Sequence, residues 1–228
     1  MQRLYCVIGY KTYEDVPVIN GRQTREMILD EAKDISSDDV KRLVTAIDKL
    51  HPVVENVYRI NPVLESAAEF HDSIKSLQSD NVEATLTVDR RFRSYTLEFD
   101  MFLDYWEACI AHHKRIDGST DQKLIAEYKN LFKTLTHEVY DNNTEYQMLD
   151  LIRNQTAHVQ SPVNRIHVGI NCNEAYSDRD ILLSKCQSKE NKKKRLEAQP
   201  EELALSPIVD VTAKCLSEIH DKLMDYQI

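Results

Sequence analysis

The chain has 228 residues, of which 42% are hydrophobic and 29% are charged. This length and balance fit a soluble globular protein with one large domain, or at most two small ones. With only four glycines and six prolines, the chain is poorly suited to an all-β fold, which needs many tight turns. The formal net charge of −9 argues against a broad basic surface for nucleic acid. A single phosphate, however, needs only one or two nearby cations.

The cysteines and the N-terminus predict a cytoplasmic protein. The five cysteines are scattered and form no CxxC pair, which is typical of thiols kept reduced inside the cell. The apolar run at the N-terminus is too short for a signal peptide. No run approaches the roughly 18 apolar residues of a membrane span, so we expect no membrane contact.

Residues 1–36 are predicted to form an irregular N-terminal arm with short strands or helix. Strands are expected at 4–8 and 16–19, because both segments are apolar and polar residues separate them. From Thr24 onward the apolar residues change to helical spacing, which predicts helix through Ala32. The polar cluster at 36–39 is a good N-cap, so a single helical domain is expected over 37–228.

Most of that domain shows helical periodicity. Pro62 is expected in the first turn of one helix, and the longest apolar stripe predicts a helix over 83–115. Two further helices are separated by the break at 141–144, and the last helix is expected over 207–226. Alternating residues after Arg165 predict one short strand, and a short helix is expected near 179–186. The predicted fold is all-α, a mainly helical bundle with a few short peripheral strands.

Arg153, Asn154 and His158 form the most informative cluster of polar residues, at the end of a tyrosine-containing helix. Cleavage of RNA without a metal requires proton transfer and neutralisation of the phosphoryl oxygens. His158 is the natural proton carrier and Arg153 the natural phosphate fork. Asn154 is suited to bind a phosphate oxygen or to fix the imidazole tautomer.

The spacing within this cluster is unusual for a pair on one helix. Five residues of ideal helix turn through about 500°, so Arg153 and His158 would point roughly 140° apart. They are therefore not a simple surface pair on one helix face. Either the helix ends before His158, for which Pro162 argues, or the cleft draws on two chains.

The pattern Arg-Asn-x-x-x-His resembles the RX4–6H signature of HEPN-domain ribonucleases, and the resemblance covers roughly 85–225. The flanking segments 139–146 and 151–154, with Pro162 beyond, are similar to a group of uncharacterised bacterial HEPN-like proteins, as are Arg90-Arg91, Asp104 and 179–183. The resemblance implies an all-α domain with Arg153 and His158 as the catalytic pair and Asn154 beside them. Gln155 departs from the pattern, which would have an aromatic residue there.

This resemblance implies a metal-independent endoribonuclease of the toxin or defence-effector type, with no cofactor. Its partners would be RNA, a second copy of the chain in a homodimer, and an antitoxin or defence-system protein. The alternative is a catalytically inactive HEPN-like module that binds a protein or a nucleotide. A purely structural role for the pair, in which Arg153 bonds a carboxylate such as Asp150, also stays open.

Other polar clusters are interpreted more simply. His112 and His113 lack the spacing of metal ligands and are read as a solvated helix end, so no metal site is expected. The basic run 191–195 is interpreted as a solvated connector, with contact to RNA phosphates as the alternative. Arg90, Arg91 and Arg93 are expected to pair with nearby acids. The remaining histidines are read as ordinary: His51, His71, His137, His167 and His220.

Overall fold

The computed structural model describes residues 55–112, 120–156, 161–170, 172–185 and 190–227. It also describes the strand segments 2–3, 6–11, 26–30 and 34–35, and helical residues at Asp38, Lys41, Arg42 and Ala46. The chain divides into two compact units, Met1–Glu55 and Asn56–Ile228. Each unit has its own secondary structure.

The first unit contains two antiparallel strand pairs. Strand β1 (Gln2–Arg3) pairs with β4 (Asp34–Ile35), and β2 (Cys6–Lys11) pairs with β3 (Glu26–Asp30). The expectation of helix from Thr24 is therefore wrong for β3. Its short apolar run fits a strand as well as a helix, and pairing with β2 decides the outcome. The predicted strand at 16–19 lies outside the described residues.

The second unit is mainly helical, as the sequence predicts. Its first four helices are α1 (Asn61–Lys75), α2 (Val82–Ala111), α3 (Gln122–Asn142) and α4 (Thr144–Thr156). Three shorter or terminal helices follow: α5 (Arg179–Lys185), α6 (Glu190–Glu197) and α7 (Leu205–Gln227). None of the helices in the described ranges is long and apolar enough to cross a membrane.

Local signals explain where these helices begin. Pro62 lies in the first turn of α1, as predicted, where the missing N–H of proline costs no hydrogen bond. Asn81 caps α2 by accepting a hydrogen bond from the Ala84 amide at 2.9 Å. Asp121 caps α3 through the amides of Lys123 and Leu124. Side-chain caps of this kind satisfy N–H groups that lack a partner inside the helix.

The core is built on the apolar stripe of α2, as the sequence analysis expected for its aromatic residues. The side chains that this helix buries most deeply recur at helical spacing: Phe92, Tyr95, Phe99, Phe102 and Trp106. Helix α1 packs along α2, and α7 packs against both. The Tyr95 hydroxyl lies 2.6 Å from the Thr212 hydroxyl, which joins α2 to α7 in the core.

A small antiparallel sheet lies against α7 and has the strand order β5-β6-β7. Strand β5 (Arg165–Val168) was predicted, whereas β6 (Asn173–Asp178) and β7 (Glu202–Ala204) were not. Strand β6 carries mostly polar side chains, so its sequence does not show the alternation of apolar and polar residues that predicts a strand. The basic run 191–195 is mostly exposed, as predicted, but it belongs to helix α6 rather than to a connector. Leu196 is fully buried and anchors this helix.

Candidate functional site

Arg153 lies in the last turns of α4, on the flank of the helix rather than in the core. Leu149 and Ile152 of the same helix are fully buried. Asp150 and Arg153 are three residues apart and therefore project from neighbouring positions on one side. The Arg153 guanidinium donates to the carboxylate of Asp100 on α2 and, at 3.3 Å, to Asp150. Asp150, the carboxylate that a purely structural role for Arg153 would require, is thus bonded to it. Asp100 is a second carboxylate partner of Arg153.

Asn154 is exposed and bonded to the same turn of helix. Its side-chain amide donates to the Asp150 carbonyl at 2.6 Å and to the Asp150 carboxylate at 3.2 Å. The amide nitrogen therefore faces back along α4, which leaves the amide oxygen as the group available to a ligand. Asp150 is the residue on which Arg153 and Asn154 converge.

A second cation reaches Asp150 from helix α6. The Lys192 ammonium donates to the other carboxylate oxygen of Asp150 at 2.7 Å. Burial alone would lower the pKa of Lys192, but the hydrogen bond and charge of Asp150 outweigh it, so the net pKa is raised. Lys192 is therefore a charged partner, and two cations share one carboxylate.

Tyr140 on α3 extends this cluster on its aromatic side. The Lys192 ammonium lies 5.9 Å from the Tyr140 ring centre, and the Arg195 guanidinium lies 5.8 Å from it. These distances are within the range of cation–π attraction. Lys192 and Arg195 of α6 are thus held against the end of α3.

These side chains border an open cavity of about 380 Å³, a size typical of small-ligand sites. Its aromatic wall is continuous, since the Tyr146 ring lies 5.2 Å from that of Phe99 and 6.3 Å from that of Tyr140. Burial raises the pKa of the Tyr146 phenol well above its usual range, so the phenol stays protonated. The cavity is lined by Phe99, Leu103, Thr136, His137, Tyr140, Tyr146, Asp150, Arg153 and Lys192.

The charges around Arg153 balance one another. Asp100 and Asp150 each carry a carboxylate, while Arg153 and Lys192 each carry a cation. Burial raises the pKa of the Asp100 carboxyl, and the nearby Arg153 opposes that rise without cancelling it. An anionic ligand entering the cavity would therefore compete with carboxylates for the same two cations.

His158, the third predicted site residue, lies outside the described residues. The chain that follows it is anchored at Ser161 and Val163, both of which hydrogen-bond to the buried carboxylate of Asp89 on α2, at 2.6 and 3.3 Å. Arg93 donates to the other oxygen of that carboxylate at 2.8 Å. Asp89 thus fixes the chain three residues after His158 to the long helix.

Sequence reasoning missed most of the cavity. His137 was read as ordinary, yet it is exposed and lines the cavity. Its spacing of three residues from Tyr140, on one helix face, was the available signal. The sequence around Lys192 and around Asp100 carries no signal that these residues contact Asp150 and Arg153.

Other predicted pairings were partly confirmed. Arg91 pairs with Glu69 at 2.5 Å and Arg93 pairs with Asp89 at 2.8 Å, as expected for these arginines. His112 forms the C-cap of α2, in keeping with its reading as a helix end. In the ranges that the structure covers, no group of three histidine, cysteine or acidic side chains is arranged to bind a metal ion.

Comparison of the chain with models of protein families, with curated proteins and with solved structures found no match.

Proposed function

We propose that this protein is a metal-independent endoribonuclease, in line with the HEPN-like motif. Arg153 would bind the scissile phosphate and His158 would transfer a proton during attack by the 2′-hydroxyl. The observation that carries the proposal is the convergence of Arg153 and Lys192 on Asp150 at the rim of an aromatic-lined cavity. Two cations beside the partly exposed ring of Tyr140 suit a phosphate with an attached base.

The carboxylates give Arg153 a defined orientation before substrate arrives. Because Asp100 and Asp150 both accept from its guanidinium, the planar fork is held by two fixed partners rather than rotating freely. A group that is already oriented loses less entropy when it binds the transition state. A phosphoryl oxygen would take over part of the hydrogen bonding that the carboxylates now accept.

The direct experiment measures cleavage of a labelled RNA oligonucleotide in EDTA. We expect the unsubstituted protein to cut and to leave a 2′,3′-cyclic phosphate and a 5′-hydroxyl. Arg153→Ala and His158→Ala should each reduce cutting by at least about 100-fold. Matched controls are Arg91→Ala, which removes an exposed arginine paired with Glu69, and His167→Asn on β5. Full activity of either site variant, or cutting that requires Mg²⁺, would refute the proposal.

A homodimer is part of the same proposal, because the motif spacing allows two chains to share one cleft. Light scattering after size exclusion should give about twice the chain mass of 26.5 kDa. An antitoxin or a defence-system protein would be the regulatory partner of such an enzyme. If co-expression of the chain with such a protein gives a purified complex that cuts RNA more slowly than the chain alone, this would support the partner.

A second candidate function is a catalytically inactive module that binds a protein or a nucleotide. The neutralisation of Arg153 and Lys192 by Asp100 and Asp150 favours it, since little net positive charge remains for a long polyanion. This module would leave RNA intact, yet a mononucleotide would raise its unfolding temperature. Arg153→Ala should abolish that rise. The absence of any nucleotide effect, together with RNA cutting, would exclude this candidate.

A further inference from the structure

The two proton transfers of the proposed reaction raise a question about the donor and the acceptor. The 2′-oxygen loses a proton as its bond to phosphorus forms, and the 5′-oxygen gains one as its bond to phosphorus breaks. No water or oxidant is consumed in this step. Efficient catalysis uses one group for each transfer, and the proposed function assigns only one such group, His158.

We infer that His137 is the second proton-transfer group, and this inference rests on the proposed ribonuclease function. His137 lies on α3, in the wall of the cavity that Arg153 and Lys192 border. Its side chain is exposed, so a substrate can reach it. Imidazole is the side chain best suited to exchange protons near neutral pH.

A side-chain hydrogen bond ties the end of α3, the helix that carries His137, to α4, the helix that carries Arg153. The Gln147 side-chain amide donates to the Tyr140 carbonyl at 2.6 Å. The Asn143 side chain donates to the Val139 carbonyl at 2.8 Å and closes the last turn of α3. His137 lies one turn before Tyr140 on the same face. The junction between the two helices therefore presents the imidazole and the guanidinium to one space.

The surroundings of His137 include both signs of charge. The groups that share the cavity with it come from its own helix, from α4 and from α6. The titratable and charged ones are Tyr140, Tyr146, Asp150, Arg153 and Lys192. A phosphate bound by Arg153 and Lys192 would lie in the same cavity as the His137 imidazole.

The test compares pH–rate profiles of the unsubstituted protein, His137→Asn and the control His167→Asn. Asparagine keeps the polarity of an exposed site, so folding should be retained. We expect kcat to fall about 100-fold or more for His137→Asn, with loss of one limb of a bell-shaped profile, while His167→Asn retains both. A uniform fall at every pH with both limbs intact would overturn the assignment, as would full activity.

A substrate with a sulfur leaving group assigns the direction of transfer. Once the cut site in a defined oligonucleotide is mapped, the bridging 5′-oxygen there is replaced by sulfur, which leaves without protonation. Restored cutting by His137→Asn identifies His137 as the acid. If the sulfur does not restore cutting by His137→Asn and one limb of its pH–rate profile is still missing, His137 is the base. If the unsubstituted protein cuts no RNA, the proposed function is wrong, and so is the assignment of His137. Full activity of His137→Asn overturns this assignment alone.

Discussion

Lys192 donates a hydrogen bond to Asp150 at 2.7 Å, although 42 positions of sequence separate the two residues. This contact attaches α6 to α4 and brings a second cation next to Arg153. Asp150 in turn accepts hydrogen bonds from three side chains: Lys192, Arg153 and Asn154. The carboxylate is only 18% exposed, so its partners are shielded from water more than those of a surface ion pair.

Asp150→Asn should lower the free energy of unfolding by about 1–2 kcal/mol, because two partly buried cations lose their shared anion. Urea denaturation measures this change. Glu190→Gln is the control, since Glu190 pairs with Lys194 while 80% exposed and should cost less than about 0.5 kcal/mol. Combining Asp150→Asn with Lys192→Met tests the pair directly. Additive losses would show that Lys192 and Asp150 do not interact.

Asp89→Ala should destabilise the protein by about 2–3 kcal/mol, because it leaves the buried Val163 amide without its carboxylate acceptor. Hydrogen exchange at that amide should accelerate. The milder variant Ser161→Ala removes one donor and keeps the Asp89 carboxylate bonded to Arg93 and Val163, so about 1 kcal/mol is expected. Equal losses in the two variants would argue against Asp89 as the anchor of this segment.

Stability should fall as the solution becomes acidic, partly because of His220. Burial beside Phe102 and Trp106 lowers the pKa of this imidazole, whereas the unfolded chain has the ordinary value of about 6.5. Below that pH the unfolded state binds a proton that the folded state refuses, so stability declines until the lowered folded pKa is passed. Denaturation of His220→Phe should show a flatter pH dependence. His167→Asn, at an exposed position, should leave the slope unchanged.

The cysteines should differ sharply in reactivity. Burial raises the pKa of the Cys215 thiol to about 11, so almost no thiolate forms at pH 8. Cys172 is exposed and should react with iodoacetamide well before Cys215, as peptide mass spectrometry would report. Cys215 should be labelled only after denaturation. Labelling of native Cys215 as fast as Cys172 would contradict the burial of this thiol.

The helical core could be predicted from sequence because its signals are local. The stripe from Phe92 to Trp106 repeats at helical spacing, and Asn81 and Asp121 are capping residues next to the helices that they begin. Each signal spans a few residues, and burial of the resulting apolar face is the largest driving force for folding. The short apolar run at 26–30 fits a helix as well as a strand, and its strand form depends on pairing with β2.

Only part of the candidate site could be predicted from such local signals. Sequence alone predicted a site for phosphodiester cleavage at Arg153, Asn154 and His158. Tertiary structure decided the surroundings of Arg153 and Asn154, because Asp100 lies 53 positions from Arg153 and Lys192 lies 42 from Asp150. Ion pairs at such separations form only where packed helices bring their flanks together, and no periodicity along the chain encodes which flanks meet. The same packing placed His137 in the cavity.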